Sequence, residues 1–182
     1  EPRELVPGED DLGWNVAWSP DSRFVYFLVG RGVTVQVHRV SVATGQVEAL
    51  TSGEGVLDGF SLSGDGKAAA FVLQSGRRPP QVCIAAVPGM DLRPLTDVNP
   101  RLRRFRFGRK ERVGWGSTDG FEVEGLLIKP VGYRRGRRYP MLVVVHGGPA
   151  GAFLNTFDAV GPRTYPLSVF AERGYTVLLP NL

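Results

Sequence analysis

A repeat of about 44 residues constrains the fold of this chain more than any other feature. Ala17-Trp18-Ser19-Pro20-Asp21-Ser22-Arg23-Phe24-Val25-Tyr26-Phe27 reads onto Ser61-Leu62-Ser63-Gly64-Asp65-Gly66-Lys67-Ala68-Ala69-Ala70-Phe71, which sets Asp21 and Asp65 44 residues apart. Val47-Glu48-Ala49-Leu50-Thr51 reads onto Leu92-Arg93-Pro94-Leu95-Thr96 at an offset of 45, the drift that a one-residue loop insertion gives. The Ser-Pro-Asp-Ser and Ser-Gly-Asp-Gly tetrads are turn chemistry: Pro presets φ, Asp caps its own backbone and Gly accepts a positive φ. Each tetrad separates two short strands. A third strand follows (Thr34 to Ser41; Gln81 to Ala86), then a turn (Ala43-Thr44-Gly45; Pro88-Gly89) and a fourth strand. Four strands every ~40–45 residues is the pattern of a β-propeller blade.

The Trp-Ser-Pro-Asp cluster is similar to the repeat of TolB-type propellers. Leu5-Val6-Pro7-Gly8-Glu9 aligns with Leu50-Thr51-Ser52-Gly53-Glu54, so the chain is expected to open inside the outer strand of an earlier blade. A blade cannot bury its faces alone, and several are expected to precede Glu1 in the complete protein. Trp18, Asp21 and Asp65 are read as structural, the Trp packing between blades and the acids holding turns. His38, mid-strand and without a second ligand nearby, is a packing or rim residue.

The hydrophobic content of 42% is ordinary for a soluble globular protein. No apolar run approaches the roughly 18–20 residues that cross a bilayer. Glu1-Pro2-Arg3-Glu4 does not resemble a signal peptide, and a cytoplasmic location is the expectation. Cys83, the one cysteine, falls in the alternation of a strand and reads as a core thiol. The net charge of +4 is driven by arginine. Arg104-Phe105-Arg106-Phe107 superficially suggests nucleic-acid binding, but its period of two also fits a half-buried strand. Tyr133-Arg134-Arg135-Gly136-Arg137-Arg138-Tyr139 reads as a solvated loop. Composition changes near Gly108, which places blades in residues 1–107 and a second domain in 108–182.

In the second half, Asp119-Gly120 marks a hairpin turn between two strands. Met141-Leu142-Val143-Val144-Val145 is a branched apolar run, expected as a strand buried on both faces. His146-Gly147-Gly148-Pro149 follows. Leu167 to Gly174 reads as a short helix closed by its glycine, and Tyr175 to Pro180 as the next buried strand. Hairpin, strand, Gly-rich loop, helix and strand is how an α/β-hydrolase begins. In such folds the loop after the third strand gives a backbone N–H to the oxyanion hole, sometimes in an HGGG-type version. Glycines are needed there because the backbone itself must approach the reacting carbonyl.

His-Gly-Gly-Pro after Tyr139-Pro140-Met141-Leu142-Val143-Val144-Val145 resembles the acylaminoacyl-peptidase branch of the prolyl oligopeptidase family. The resemblance covers the whole chain, with the last blades of the propeller first and the start of the α/β-hydrolase domain second. It implies a serine peptidase acting on short peptides or acylated N-termini, whose propeller gates the site. Gly148 would donate its N–H to the oxyanion, with His146 shaping the loop. Dipeptidyl-peptidase-type relatives carry a Tyr at the position of His146, and its hydroxyl joins the oxyanion hole.

Relatives continue from Tyr-x-Val-x-x-Pro-Asn into an Arg-Gly-Ser loop, a Gly-x-Ser-x-Gly elbow, an Asp and a His, whereas this sequence stops at Pro180-Asn181-Leu182. Gly59-Phe60-Ser61-Leu62-Ser63 fails the elbow pattern at its fifth position, and the Ser/Asp/His triad is not in these residues. Two other readings stay open: an esterase, which shares the Gly-Gly loop, and a propeller scaffold that binds proteins. The expected partners are a short peptide and the remainder of the same enzyme, with a homo-oligomer left open. No cofactor, metal, nucleic acid or membrane is expected.

Overall fold

The computed structural model describes residues 4–6, 14–148, 151–157 and 167–181. Pro7 to Glu9 of the opening alignment, and Pro149 of the Gly-Gly-Pro motif, lie outside the described residues. Contacts divide the chain into two compact units, Glu1–Leu73 with Pro80–Asp97, and Gln74–Pro79 with Val98–Leu182.

The first unit holds two successive four-stranded sets. One comprises β1 (Trp14–Trp18), β2 (Phe24–Arg31), β3 (Thr34–Ser41) and β4 (Val47–Ala49); the other β5 (Val56–Leu62), β6 (Ala68–Ser75), β7 (Arg78–Ala86) and β8 (Arg93–Pro94). Within each set, strands neighbour one another in chain order, and one parallel bridge, Val35 to Val56, links the sets. Each set has the four strands in series expected of a blade.

The repeat recurs at atomic detail. Ser19 Oγ donates to Asp21 Oδ1 at 2.6 Å and Ser63 Oγ to Asp65 Oδ1 at 2.6 Å. The same carboxylates accept from the N–H of Arg23 and of Lys67 at 3.1 Å, and each serine Oγ accepts the N–H that opens the next strand, Phe24 or Ala68. At the outer edge, Thr51 Oγ1 donates to Gln36 Oε1 and accepts from Val37 N–H. Thr96 does the same with Gln81 and Val82, each residue 45 further on. The left-handed positions repeat as well: Asn15 with Gly59, Ser22 with Gly66, and Gly45 with Met90.

Val25, Leu28, Val35, Val37, Leu57 and Phe71 are buried, and Tyr26, Phe60 and Phe71 stack in series with centroids 5.9 and 5.3 Å apart. Cys83 is a free, fully buried thiol, as expected of a core position, and burial raises its pKa. His38 is buried on β3 and stacks on Phe27 at 6.1 Å, a packing residue. Trp18 departs from expectation, since it is 57% exposed among the described residues.

The second unit is a four-stranded sheet in the order β11-β12-β10-β9, with β9 at Lys110–Gly116, β10 at Glu122–Ile128, β11 at Met141–Val143 and β12 at Thr176–Asn181. β9, β10 and β12 pair antiparallel, whereas β11 and β12 run parallel, joined through helix α1 (Leu167–Glu172). A parallel neighbour requires such a crossover. Gly174, at φ +91, closes α1. The Asp119-Gly120 turn forms where expected, with Ser117 N–H donating to Phe121 O and Gly120 at φ +91. Leu126, Ile128, Val177, Leu179, Leu167 and Ala171 make the core.

Two local expectations are corrected. Residues 104–107 form no strand: a 3-10 helix spans Pro100–Arg104, and the chain then runs irregularly to β9 with Phe105 exposed. The Pro at its start and the turn preference of Asn99, at φ 57, outweigh the alternation. β11 is not buried on both faces. It sits at the edge of the described sheet with Met141, Val143 and Val145 exposed by 56%, 56% and 62%. The Arg134 to Arg138 loop is exposed, as expected. No described helix is long and apolar enough to cross a membrane.

Candidate oxyanion loop

The residues singled out from the sequence, His146 and Gly148, follow directly on β11. The parallel register continues just past the strand, where Val144 N–H donates to Leu178 O at 2.9 Å. The chain then leaves the sheet. Gly148 takes φ +77, and a Cβ built on it meets nothing within 4 Å among the described residues. Gly151 N–H donates back to Gly148 O at 3.0 Å.

Gly151 is the residue the sequence did not single out. A Cβ there would lie 2.7 Å from Gly147 O and 3.0 Å from His146 Nδ1, so only glycine lets the returning chain lie against the loop. The imidazole of His146 lies under that return and edge-on to Phe153, with centroids 5.3 Å apart and planes at 71°. Both its nitrogens are shielded from solvent and have no hydrogen-bond partner among the described residues.

Residues 151–157 have no regular structure, and side chains satisfy several of their backbone groups. Asn181, at the end of β12, accepts from Phe153 N–H at 2.7 Å and donates to Phe153 O at 3.2 Å. Lys110 Nζ donates to Thr156 O at 2.8 Å, and Phe157 N–H donates to Gln74 Oε1 at 3.2 Å. The Phe157 ring packs edge-on against Phe107 with centroids 5.2 Å apart. A segment outside a ladder must find partners of this kind or stay unsatisfied. No group of three or more metal-ligating side chains occurs among the described residues.

No family model matches the chain. Among curated proteins it is 24% identical over 172 residues to dipeptidyl-peptidase 5 of Porphyromonas gingivalis, covering 91% of this chain and 24% of that protein. It is also 24% identical over 166 residues to the peptidase YuxL of Bacillus subtilis, covering 90% of this chain and 24% of that one. Among solved structures, the acylaminoacyl peptidase of Pyrococcus horikoshii superposes with a TM-score of 0.77 at 20% identity, over 98% of this chain and 26% of the other. Two four-stranded sets followed by this mixed sheet therefore share the fold of that propeller-type structure. The chain's homologues are peptidases of the prolyl oligopeptidase family. It spans about a quarter of the length of the curated relatives it matches.

Proposed function

We propose that this chain is the junction between propeller and catalytic domain in a serine peptidase that hydrolyses short peptides or acylated peptide N-termini. Residues 1–107 are the C-terminal blades and 108–182 the start of an α/β-hydrolase domain. The His146-Gly147-Gly148 loop forms part of the oxyanion hole, with Gly148 N–H as donor and His146 fixing the loop. The observation that carries this is the left-handed Gly148, set in the loop that follows a parallel strand, in a chain homologous to peptidases. A main-chain donor held in that manner stabilises negative charge on a carbonyl oxygen without rearranging as the charge develops. The antiparallel hairpin, parallel β11–β12 pair and intervening helix support the hydrolase assignment. Relatives named for dipeptidyl and acylaminoacyl substrates favour a peptide N-terminus, free or acylated.

An oxyanion loop cannot itself attack a carbonyl, so nucleophile and general base come from outside these 182 residues. The test is a fluorophosphonate probe with dipeptidyl and acetyl-aminoacyl chromogenic substrates. The complete protein is expected to label on one serine outside this segment and to turn over at least one substrate class. The 182-residue chain alone is expected not to label. Stoichiometric labelling of a serine within it would overturn the assignment.

A further inference from the structure

We propose that Asn181 is a positioning residue for the oxyanion loop, acting through the backbone and ring of Phe153. This rests on the assignment of His146-Gly147-Gly148 as that loop. Asn181 terminates β12, the strand that pairs with β11, and β11 leads directly into His146. Its carboxamide grips both backbone groups of one residue, accepting from Phe153 N–H at 2.7 Å and donating to Phe153 O at 3.2 Å. A carboxamide offers one acceptor and two donors, so it can replace a ladder partner where the chain has left the sheet. Phe153 thereby has a fixed backbone, and its ring stands edge-on to the His146 imidazole.

Nothing else described holds that imidazole by a polar contact, because neither of its nitrogens has a hydrogen-bond partner among the described residues. Its placement therefore depends on packing: the Phe153 ring on one side, and the return of Gly151, which leaves no room for a Cβ beside His146 Nδ1. The sheet, through Asn181, sets Phe153; Phe153 sets His146; and His146 sets the two glycines that follow it. Without the clamp, Phe153 N–H and O lose their partners and the ring loses its reference to the sheet. The bond between Lys110 Nζ and Thr156 O, three residues further along the same segment, provides an internal control, since it has no ring contact with His146.

The experiment uses the complete enzyme with Asn181→Ala, Asn181→Asp and Lys110→Ala, read by kcat and KM separately. Asn181→Ala is expected to lower kcat about 10- to 100-fold, the scale of an ångström-sized misplacement of a catalytic group. KM is expected to change little, because the loop acts as charge develops. Asn181→Asp keeps the acceptor for Phe153 N–H and loses the donor to Phe153 O, so its kcat is expected between wild type and alanine. Lys110→Ala is expected to lower thermal stability with kcat near wild type. If Asn181→Ala fails to fold, the aspartate variant decides by the same split. A kcat unchanged in Asn181→Ala, or lowered equally in Lys110→Ala, would overturn the positioning role. Gly148→Val separates the two levels, because a β-branched residue does not hold φ +77 and so displaces the N–H. A kcat loss there with none at Asn181 sinks only the clamp, whereas no loss at Gly148→Val sinks the loop assignment on which it stands.

Discussion

Gly66 shows how much a single hydrogen atom in place of a methyl decides in this repeat. It sits at φ +69, and a Cβ there would lie 2.7 Å from Pro20 Cδ and 3.0 Å from Cγ, in a ring that cannot swing aside. Gly66→Ala is expected to cost about 1–3 kcal/mol for the left-handed residue alone, with the clash added; urea unfolding of the complete protein measures it. Ser22 holds the equivalent left-handed position at φ 57, so Ser22→Gly is expected to stabilise slightly, by relieving strain. The paired acids give a pH signature. Hydrogen bonds from Ser19 and Ser63, then from the backbone of Arg23 and Lys67, hold Asp21 and Asp65 below their ordinary value of 3.8. A depressed folded-state pKa adds stability above the unfolded value, and that stability vanishes as pH falls through the folded one. The double variant Asp21→Asn, Asp65→Asn is therefore expected to melt lower than wild type at neutral pH. The difference should close under acid, as thermal melts across that range would show. At the loop, φ +77 makes Gly148→Pro a poor probe of the lost donor, because proline is held near −65° and would re-route the chain. His146→Ala is cleaner. It is expected to cost less in kcat than the roughly 10²–10³ of a lost oxyanion donor, if the imidazole only shapes the loop.

Among the elements, β12 lies against Gly125 of β10, where a Cβ would stand 2.5 Å from Leu179 O and 3.0 Å from Pro180 Cα. Both neighbours are backbone, so Gly125→Ala is expected to destabilise by about 1–3 kcal/mol. Chemical unfolding of the complete protein would show this as a lowered midpoint with little change of slope. The elements differ in how openly the sequence announced them. Strands β2, β3, β6 and β7 were legible because turn tetrads bracket them at a fixed offset, and α1 because Gly174 ends it. Arg104 to Phe107 misled because period two was the only signal there, and an exposed aromatic next to an arginine satisfies it as readily as a strand does. Met141 to Val145 was legible as a strand but not in its burial. Branched apolar residues give a β preference without saying which face meets the core. In the site, His146 and Gly148 could be named from the motif. Asn181, Lys110 and Gln74 could not, since they lie 28 or more residues from the backbone groups they satisfy.

For the molecule as a whole, Met141 and Val143 of β11, with Val145 just beyond it, form an exposed apolar stripe. Alternate residues of one edge strand expose one apolar face, and an open edge with such a face invites association. The 182-residue chain on its own is expected to elute above monomer size. Met141→Thr with Val143→Thr and Val145→Thr is expected to shift it toward monomer by light scattering, threonine keeping the β preference. Unchanged association in the triple variant would mean that a different surface drives it. In the first unit, the repeated side-chain fasteners of a blade close within one period: Ser19 on Asp21, Thr51 on Gln36, and their counterparts Ser63 on Asp65 and Thr96 on Gln81. A stretch of chain built like that can be copied end to end and arrive with its clasps already in place. The seam between copies, where Val35 bridges Val56, Tyr26 meets Phe60 and Pro20 meets Gly66, has to be fitted anew.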